Sequence, residues 1–194
     1  MRILAFGDSF VAGAGDPDHL GWIGRALRGR REVSLYNLGV RRETSEEIAA
    51  RWKAEALPRL VEHEPVRLVF AFGCNDCTLP AGAAAVRVSP AASLKAAQAI
   101  FAEAASIAPA LWVGPPPVSD PAARERARAL NLQFQTLAAR MRVPFLDVFD
   151  RLCADPVWLG EVAAWDGAHP GASGYQALAD LVAGHAAWIR FIEG

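Results

Sequence analysis

Five short apolar segments are spaced along the chain, at residues 3–6, 33–36, 68–72, 111–113 and 143–146. Their apolar residues are nearly continuous and do not alternate with polar ones, which is typical of strands buried on both faces. Such strands occur in parallel sheets that helices cover on both sides. The pattern therefore predicts a parallel sheet of about five strands.

Longer stretches with helical spacing lie between these segments, and three of them begin with recognisable start signals. Thr44 and Glu47 have the spacing of a capping box. Ser89-Pro90 and Asp120-Pro121 each place a capping side chain before a proline at the first helical position. The last stretch, from about residue 171 to 192, repeats apolar residues on one face and predicts one amphipathic closing helix.

Strands that alternate with helices along a chain form α/β folds. We predict a three-layer α/β/α sandwich around the central parallel sheet. The 194 residues suffice for one sizeable hydrophobic core, and no stretch reads as a linker. We therefore expect residues 1–194 to form a single domain.

Composition narrows the classes of function. The net charge is −1, with a pI near 6.4, so no excess of basic residues indicates a nucleic-acid partner. No apolar run reaches membrane-spanning length, and the N-terminus lacks the features of a signal peptide. We expect a cytoplasmic protein without a membrane span.

The three cysteines, Cys74, Cys77 and Cys153, are an odd number in a chain large enough to fold without disulfides, which favours a reducing compartment. The spacing Cys74-x-x-Cys77 also suggests a redox or zinc site. A zinc site needs about four ligands, and the sequence offers neither a second such pair nor a nearby pair of histidines. We expect neither a metal nor another cofactor.

Chemistry-bearing residues follow several of the predicted strands. In open parallel sheets, ligands bind at the carboxyl ends of the strands. The segments at this edge are Gly7-Asp8-Ser9-Phe10, Asn37-Leu38-Gly39, Gly73-Cys74-Asn75-Asp76 and, before the last helix, Asp166-Gly167-Ala168-His169-Pro170.

Together these segments supply the parts that acyl transfer requires. Ser9 is the candidate nucleophile, His169 the base that takes its proton, and Asp166 the group that orients the imidazole. The candidate oxyanion donors are the N–H groups of Ser9 and Gly39 and the side-chain amide of Asn75.

Each segment alone also has a structural interpretation. Asp8 or Ser9 could cap the next helix, and His169 could be an ordinary loop histidine. Asn75 could close an Asx-turn, and Gly39 could simply end a strand. Their occurrence together, in order, at the ligand-binding edge of one sheet favours the catalytic interpretation.

At these residues the sequence resembles the SGNH, or GDSL-type, hydrolase family. Ser9 looks like the family nucleophile, Gly39 and Asn75 look like its oxyanion donors, and Asp166 and His169 in Asp-x-x-His-Pro look like its acid and base. The resemblance spans nearly the whole chain. It implies a flavodoxin-like SGNH hydrolase fold and an esterase or lipase-like activity on small or single-chain carboxylic esters.

Two positions depart from the family pattern. Phe10 stands where the first motif usually has leucine, an apolar exchange expected to alter only packing. Arg42 stands where similar relatives often carry glycine, which leaves the shape of the substrate-side loop open.

Other functions remain as alternatives. A carbohydrate or metabolite O-deacetylase would use the same residues. A non-enzymatic flavodoxin-like module could bind a flavin or phosphate at the same crevice, although Gly7 to Gly15 fits neither glycine-rich nucleotide motif. An α/β-hydrolase would need a Gly-x-Ser-x-Gly elbow, which the sequence lacks.

Two segments are candidate substrate-side loops, residues 76–89 and residues 154–164. Trp158 and Trp165 are equally consistent with core packing and with a pocket wall. Because the predicted sheet and helices use most of the chain, little of it is left to form a lid. The sequence therefore predicts an open, shallow cleft and a preference for short acyl chains.

Overall fold

The computed structural model of the chain describes residues 1–193. It contains one five-stranded sheet, formed by β1 (Arg2–Gly7), β2 (Ser34–Gly39), β3 (Val66–Ala71), β4 (Ala110–Val113) and β5 (Phe145–Leu146). The strand order is β2-β1-β3-β4-β5, and every neighbouring pair is parallel. The predicted α/β fold with a five-stranded parallel sheet is confirmed.

Helices connect the strands and follow the last one. They are α1 (Ser9–Ala12), α2 (Gly21–Ala26), α3 (Ser45–Ala56), α4 (Pro90–Ala104), α5 (Pro121–Met141), α6 (Phe149–Cys153), α7 (Pro156–Ala164), α8 (Ala172–Ala183) and α9 (Ala186–Glu193). A short 3-10 turn, Leu57–Arg59, follows α3. Within residues 1–193, no helix has both the length and the apolar character needed to cross a membrane.

The two faces of the sheet carry separate hydrophobic cores. In β1, Ile3 and Ala5 point into one core, which α1, α2, α7, α8 and α9 complete. Leu4 and Phe6 point into the other, which α3, α4 and α5 complete. Because every β1 residue from 3 to 6 is buried, the strand shows the continuous apolar pattern seen in the sequence.

The three predicted helix starts are confirmed. At α3, the Glu47 N–H donates to Thr44 Oγ1 and the Thr44 N–H donates to Glu47 Oε2, which completes the capping box. Ser89 caps α4 through the Ala92 N–H, and Asp120 caps α5 through the Ala123 N–H.

The prediction of one closing helix is wrong. Two helices, α8 and α9, occupy this region, and Gly184 and His185 separate them. His185 Nδ1 accepts the Ala187 N–H at 3.1 Å and so starts α9 as a new helix. The apolar spacing continued through the break, so the pattern alone did not reveal it.

The interpretation of residues 154–164 as a loop is also wrong, because most of this segment forms α7. Asp155 accepts the N–H groups of Val157 and Trp158, and Pro156 occupies the first helical position. Trp158 is fully buried and its indole N–H donates to the Pro117 carbonyl, so it is a core residue.

Side-chain and backbone bonds fasten the segment before α8 to the rest of the fold. Tyr175 in α8 donates its hydroxyl to the Ala14 carbonyl at 2.8 Å, only five residues beyond Ser9. The Ser119 N–H donates to the Gly167 carbonyl at 2.8 Å. The first bond holds α8 against the segment that follows β1, and the second holds residue 167 against the segment that follows β4.

Candidate active site

The carboxyl ends of three neighbouring strands lie at one level. Gly7 at the end of β1 pairs with Gly39 of β2 on one side and with Ala71 of β3 on the other. The segments after these strands therefore meet at one edge of the sheet, and they include Ser9 and Asn75.

The turn that carries Ser9 is tightly packed. The Asp8 carboxylate accepts the Phe10 N–H at 3.0 Å and caps α1, whose first residue is Ser9. A Cβ on Gly7 would lie 2.2 Å from the Ala71 carbonyl oxygen and 2.4 Å from Val11. Only glycine lets the turn approach β3 this closely. The interpretation of Asp8 as a helix cap is confirmed.

Ser9, His169 and Asp166 form one hydrogen-bonded chain. Ser9 Oγ lies 2.6 Å from His169 Nε2, and His169 Nδ1 lies 2.7 Å from Asp166 Oδ2. An ionised carboxylate only accepts hydrogen bonds, so the proton of the neutral imidazole resides on Nδ1 and Nε2 faces the Ser9 hydroxyl as an acceptor. This arrangement can deprotonate Ser9 during attack on a carbonyl carbon.

Asp166 is held as a carboxylate. Partial burial acts to raise its pKa, but hydrogen bonds from the backbone N–H and the imidazole of His169 and from the Ala168 N–H outweigh it, and the net effect lowers the pKa. The same bonds fold residues 166–169 into a compact turn that fixes the imidazole.

The three candidate oxyanion donors differ in their present partners. Within residues 1–193, the Ser9 N–H has no acceptor, as expected at the first position of a helix. The Gly39 N–H donates to Asn37 Oδ1 at 3.1 Å. Asn75 Nδ2 donates to the Glu43 carbonyl at 2.9 Å and lies 3.4 Å from Asp8 Oδ2.

Gly39 also has a packing role. A Cβ at this position would lie 2.3 Å from the Ala12 nitrogen, so α1 can pack against the end of β2 only if residue 39 is glycine. This packing brings the end of β2 against the helix that begins at Ser9.

Asp8 is the second carboxyl group of the site, and only 2% of its surface is exposed. Burial raises its pKa to about 7, with a further contribution from the negative charge of Asp76, although the Phe10 N–H opposes the shift. Asp8 therefore remains largely protonated below neutral pH, whereas the lowered pKa of Asp166 favours its ionised form.

The two departures from the family pattern have distinct consequences. Arg42 has φ = 72°, in the left-handed region that glycine adopts without strain. Its carbonyl accepts a bond from Arg87 at 2.6 Å, which helps to hold this turn. The Phe10 ring lies 4.9 Å from the His169 ring and stacks on Trp158, so it packs behind the imidazole.

A small pocket of about 70 Å³ opens beside Ser9 and His169. Its remaining wall is formed mainly by small or apolar side chains, namely Phe10, Cys74, Asn75, Thr78, Val118, Ala123, Ala127 and Ala168. Thr78 belongs to the candidate substrate-side loop of residues 76–89. Trp165 is 55% exposed, and its ring lies 5.7 Å from that of His169.

The cysteines are free thiols. Cys74 donates to the Pro116 carbonyl at 3.0 Å, and burial raises its pKa well above the ordinary value. Burial likewise raises the pKa of Cys77 to about 12. No cluster of three or more histidine, cysteine or acidic side chains suited to a metal occurs in the described part of the chain.

A larger concave surface lies away from Ser9. It is a groove of about 500 Å³ between α4 and α5, and Leu94, Lys95, Leu132 and Arg140 contribute to its wall. These residues include no set of nucleophile, base and orienting acid. We therefore locate the candidate active site at the smaller pocket beside Ser9.

A family model described as GDSL-like lipase/acylhydrolase matches residues 5–177, which contain Ser9, Gly39, Asn75, Asp166 and His169. The chain belongs to this GDSL-like family. A search of curated proteins found no match.

Solved structures support the fold of this GDSL-like protein. A lipase/acylhydrolase from Enterococcus faecalis is 23% identical, with a TM-score of 0.74 over 94% of this chain and 93% of that one. A member of the lipolytic G-D-S-L family from Veillonella parvula is 17% identical, with a TM-score of 0.74 and coverages of 96% and 98%. Axe2, an acetylxylan esterase from Geobacillus stearothermophilus, is 16% identical, with a TM-score of 0.69 and coverages of 93% and 91%.

Some residues of this GDSL-like site could not be recognised from the sequence. The raised pKa of Asp8 depends on burial, and the pocket residues Val118, Ala123 and Ala127 come together only through the tertiary structure. Arg51 is one of two basic residues in α3, the helix that follows β2, and nothing in the sequence distinguishes it from Lys53.

We predict that Asp8→Asn changes the pH dependence of stability in the GDSL-like protein. In the parent, the unfolded carboxyl ionises near 3.8 and the folded one near 7, so the folded state holds the extra proton and loses stability as pH rises between these values. The variant lacks this loss. Its free energy of unfolding should gain on the parent as pH rises from 4 to 7, most steeply in the middle of this range, where the slope approaches about 1.4 kcal/mol per pH unit.

Guanidinium denaturation at pH 4.5, 5.5, 6.5 and 8 would measure this difference. Asp120→Asn, at the exposed cap of α5, is the control, and its effect should not grow over this range. A constant offset between Asp8→Asn and the parent would contradict the raised pKa.

Proposed function

We propose that the protein is a serine esterase that cleaves small carboxylic esters through an acyl-enzyme at Ser9. The observation that carries the proposal is the chain from Ser9 Oγ through the imidazole to Asp166, with separations of 2.6 and 2.7 Å. Membership of the GDSL-like lipase/acylhydrolase family supports the same class of reaction.

In the first half of the proposed reaction, Ser9 Oγ attacks the ester carbonyl carbon while His169 Nε2 takes the hydroxyl proton. The C–O bond to the alcohol then breaks, and His169 returns the proton to the leaving oxygen. Asp166 stabilises the imidazolium that exists between these steps. The products are the alcohol and an ester of Ser9.

In the second half, His169 takes a proton from water as its oxygen attacks the acyl carbon, and the acid leaves as Ser9 recovers its proton. The carbonyl oxygen becomes negatively charged in both halves. We propose that the Ser9 and Gly39 N–H groups and the Asn75 amide donate to this oxygen. Donors aimed at a charge that exists only near the transition state accelerate the reaction without tightening substrate binding.

The pocket beside Ser9 supports a short acyl group. Its volume of about 70 Å³ is about that of two water molecules. Val118, Ala123 and Ala127 form an apolar wall suited to one or a few methyl or methylene groups. A longer chain would extend into water and gain no further burial energy.

Trp165 favours a second candidate, an O-deacetylase that acts on carbohydrates. His169 must protonate the leaving alcohol, so the alcohol lies on the imidazole side, where the exposed Trp165 ring is 5.7 Å away. Trp165 also rests on Gly15, where a Cβ would lie 2.5 Å from the indole. A fixed, exposed aromatic ring can stack on the apolar face of a sugar. The structurally similar Axe2 is an acetylxylan esterase.

The first test concerns the nucleophile. The parent should hydrolyse nitrophenyl acetate and form a fluorophosphonate adduct on Ser9, located by peptide mass spectrometry. Ser9→Ala should lose both properties, with kcat/KM lower by at least about 10³-fold, because the hydroxyl bonded to His169 Nε2 is removed. Ser106→Ala, at an exposed serine, should behave like the parent.

Labelling at a different serine would overturn the assignment of Ser9. A parent that takes no label and hydrolyses no ester, but binds flavin or phosphate, would instead support a flavodoxin-like binding module.

The second test concerns acyl length. For nitrophenyl esters from acetate to palmitate, kcat/KM should be highest at acetate to butyrate. Val118→Ala should move the optimum longer by one or two carbons, because each buried methylene contributes about 0.8 kcal/mol. Val61→Ala, at an exposed valine outside the pocket, should leave the profile unchanged. A parent profile that rises steadily to palmitate would contradict the short pocket.

The third test separates a general esterase from a carbohydrate deacetylase. If sugars stack on Trp165, Trp165→Ala should raise KM for acetylated xylose by roughly 2- to 10-fold, as the loss of one aromatic contact predicts. Methyl acetate, which has no ring to stack, should keep its kcat/KM, and Trp165→Phe should retain most of the affinity. Equal losses on both substrates would show that Trp165 supports His169 and does not bind the alcohol.

A further inference from the structure

Arg51 lies beneath the segments that carry two of the candidate oxyanion donors. It projects from α3, and its side chain is 17% exposed. Its Nη2 donates to the Leu38 carbonyl at 2.8 Å and reaches the Gly7 carbonyl at 3.3 Å. Its Nε and Nη2 pair with the Glu43 carboxylate at 2.6 to 2.9 Å.

The contact to the Leu38 carbonyl bears directly on the Gly39 donor. The carbonyl of Leu38 and the N–H of Gly39 belong to the same peptide unit, which is planar. A positively charged donor on the carbonyl therefore fixes the direction of the N–H, which points the opposite way within that plane. It also polarises the peptide, which strengthens the N–H as a donor.

The contact to Glu43 bears on the other donor. Asn75 Nδ2 donates to the backbone carbonyl of Glu43 at 2.9 Å, and this bond sets the orientation of the Asn75 amide. The carboxylate of the same Glu43 is held by Arg51. The position of the Glu43 backbone, and through it the Asn75 amide, thus depends on the same guanidinium that holds the Leu38–Gly39 peptide.

We propose that the Arg51–Glu43 ion pair is a positioning element that sets the direction and separation of the Gly39 and Asn75 donors. This inference rests on the esterase function proposed above. Arg51 acts through these groups and touches no reacting atom. A guanidinium suits the task because its planar fork can reach a carboxylate and two carbonyls at once, whereas an ammonium is a compact charge on a flexible stem.

A merely structural ion pair would affect the amount of folded protein and leave turnover per folded molecule unchanged. A positioning pair has a different kinetic result. Displaced donors bind the transition state less well, while substrate binding is preserved, so kcat falls and KM does not.

The chain offers a matched control in Glu55. Arg51 Nη1 also pairs with Glu55 at 3.0 Å, one turn along α3. Glu43→Gln and Glu55→Gln each remove one carboxylate from the same guanidinium, but only Glu43 is bonded to Asn75. The two variants therefore separate the loss of an Arg51 ion pair from the loss of the connection to the donors.

The experiment measures kcat and KM for nitrophenyl acetate in the parent, Arg51→Met, Arg51→Lys, Glu43→Gln and Glu55→Gln, each normalised to folded enzyme by circular dichroism. Arg51→Met should lower kcat by roughly 10- to 100-fold, since misplacing groups by about 1 Å has effects of this size. KM should change less than twofold. Arg51→Lys and Glu43→Gln should show intermediate losses, and Glu55→Gln should match the parent.

Inhibition by ethylboronic acid gives a second readout. Its tetrahedral adduct with Ser9 presents an oxygen where the oxyanion would lie, so its inhibition constant should rise across the variants by the same factors as kcat falls. If Arg51→Met does not fold, the Arg51→Lys and Glu43→Gln comparisons with Glu55→Gln decide the matter.

The outcomes separate this inference from the proposed function. An active, Ser9-labelled parent whose Arg51 and Glu43 variants keep kcat per folded molecule would overturn the positioning role alone. Equal losses in Glu43→Gln and Glu55→Gln would overturn it as well. A parent that neither turns over esters nor labels at Ser9 would overturn the proposed function and this inference together.

Discussion

The candidate site depends on the close approach of three parallel strands at their carboxyl ends. Gly7, Gly39 and Ala71 lie at one level, with β1 between its two neighbours. The helices after β1 cover one face of the sheet, and the helix after β2 covers the other. The connections that leave these two strands therefore run in opposite directions next to β1. Crevices in open α/β sheets form at such points. Ser9 after β1 and Asn75 after β3 lie on either side of this crevice.

The site contains two carboxyl groups with opposite electrostatic environments. Asp166 is partly exposed and accepts several hydrogen bonds, so it remains ionised and can stabilise a charged imidazole. Asp8 is buried beside the serine with fewer donors, and its pKa rises to about 7. A neutral Asp8 is compatible with negative charge that develops near Ser9, whereas an ionised one would oppose it. Burial and hydrogen bonding thus assign different protonation states to chemically identical groups.

Much of the fold could be predicted from the sequence, and so could Ser9, His169 and Asp166, which the structure brings together. The strands were visible because burial on both faces leaves continuous apolar runs, and Thr44, Ser89 and Asp120 marked helix starts through local capping chemistry. The break at Gly184 was not visible, because apolar spacing continues across it. The helix within residues 154–164 does have a local signal, because Asp155-Pro156 is the same kind of helix start as Ser89-Pro90 and Asp120-Pro121.

The parts of the site that were missed depend on long-range contacts. Arg51 meets the Leu38 carbonyl only because α3 packs beneath the end of β2. The pocket wall joins Thr78, Val118 and Ala127 from three separate segments, and neither spacing nor residue type marks them. Local patterns identify groups with strong chemistry, whereas the residues that aim or enclose them are ordinary in sequence.

The partners of the candidate donors bear on how such a site can be stable before substrate binds. A buried donor left without an acceptor costs roughly 1–3 kcal/mol, so unoccupied oxyanion donors would weaken the fold. Here the Gly39 N–H is satisfied by the neutral Asn37 amide oxygen and Asn75 by a backbone carbonyl. Hydrogen bonds to a charged acceptor are about twice as strong as neutral ones. In the proposed mechanism, an exchange of Asn37 for a substrate oxygen would therefore become favourable as that oxygen gains negative charge, which directs the stabilisation to the transition state. The Gly39 N–H and the Asn75 amide then need not be unpaired before substrate binds, whereas the Ser9 N–H has no acceptor among residues 1–193.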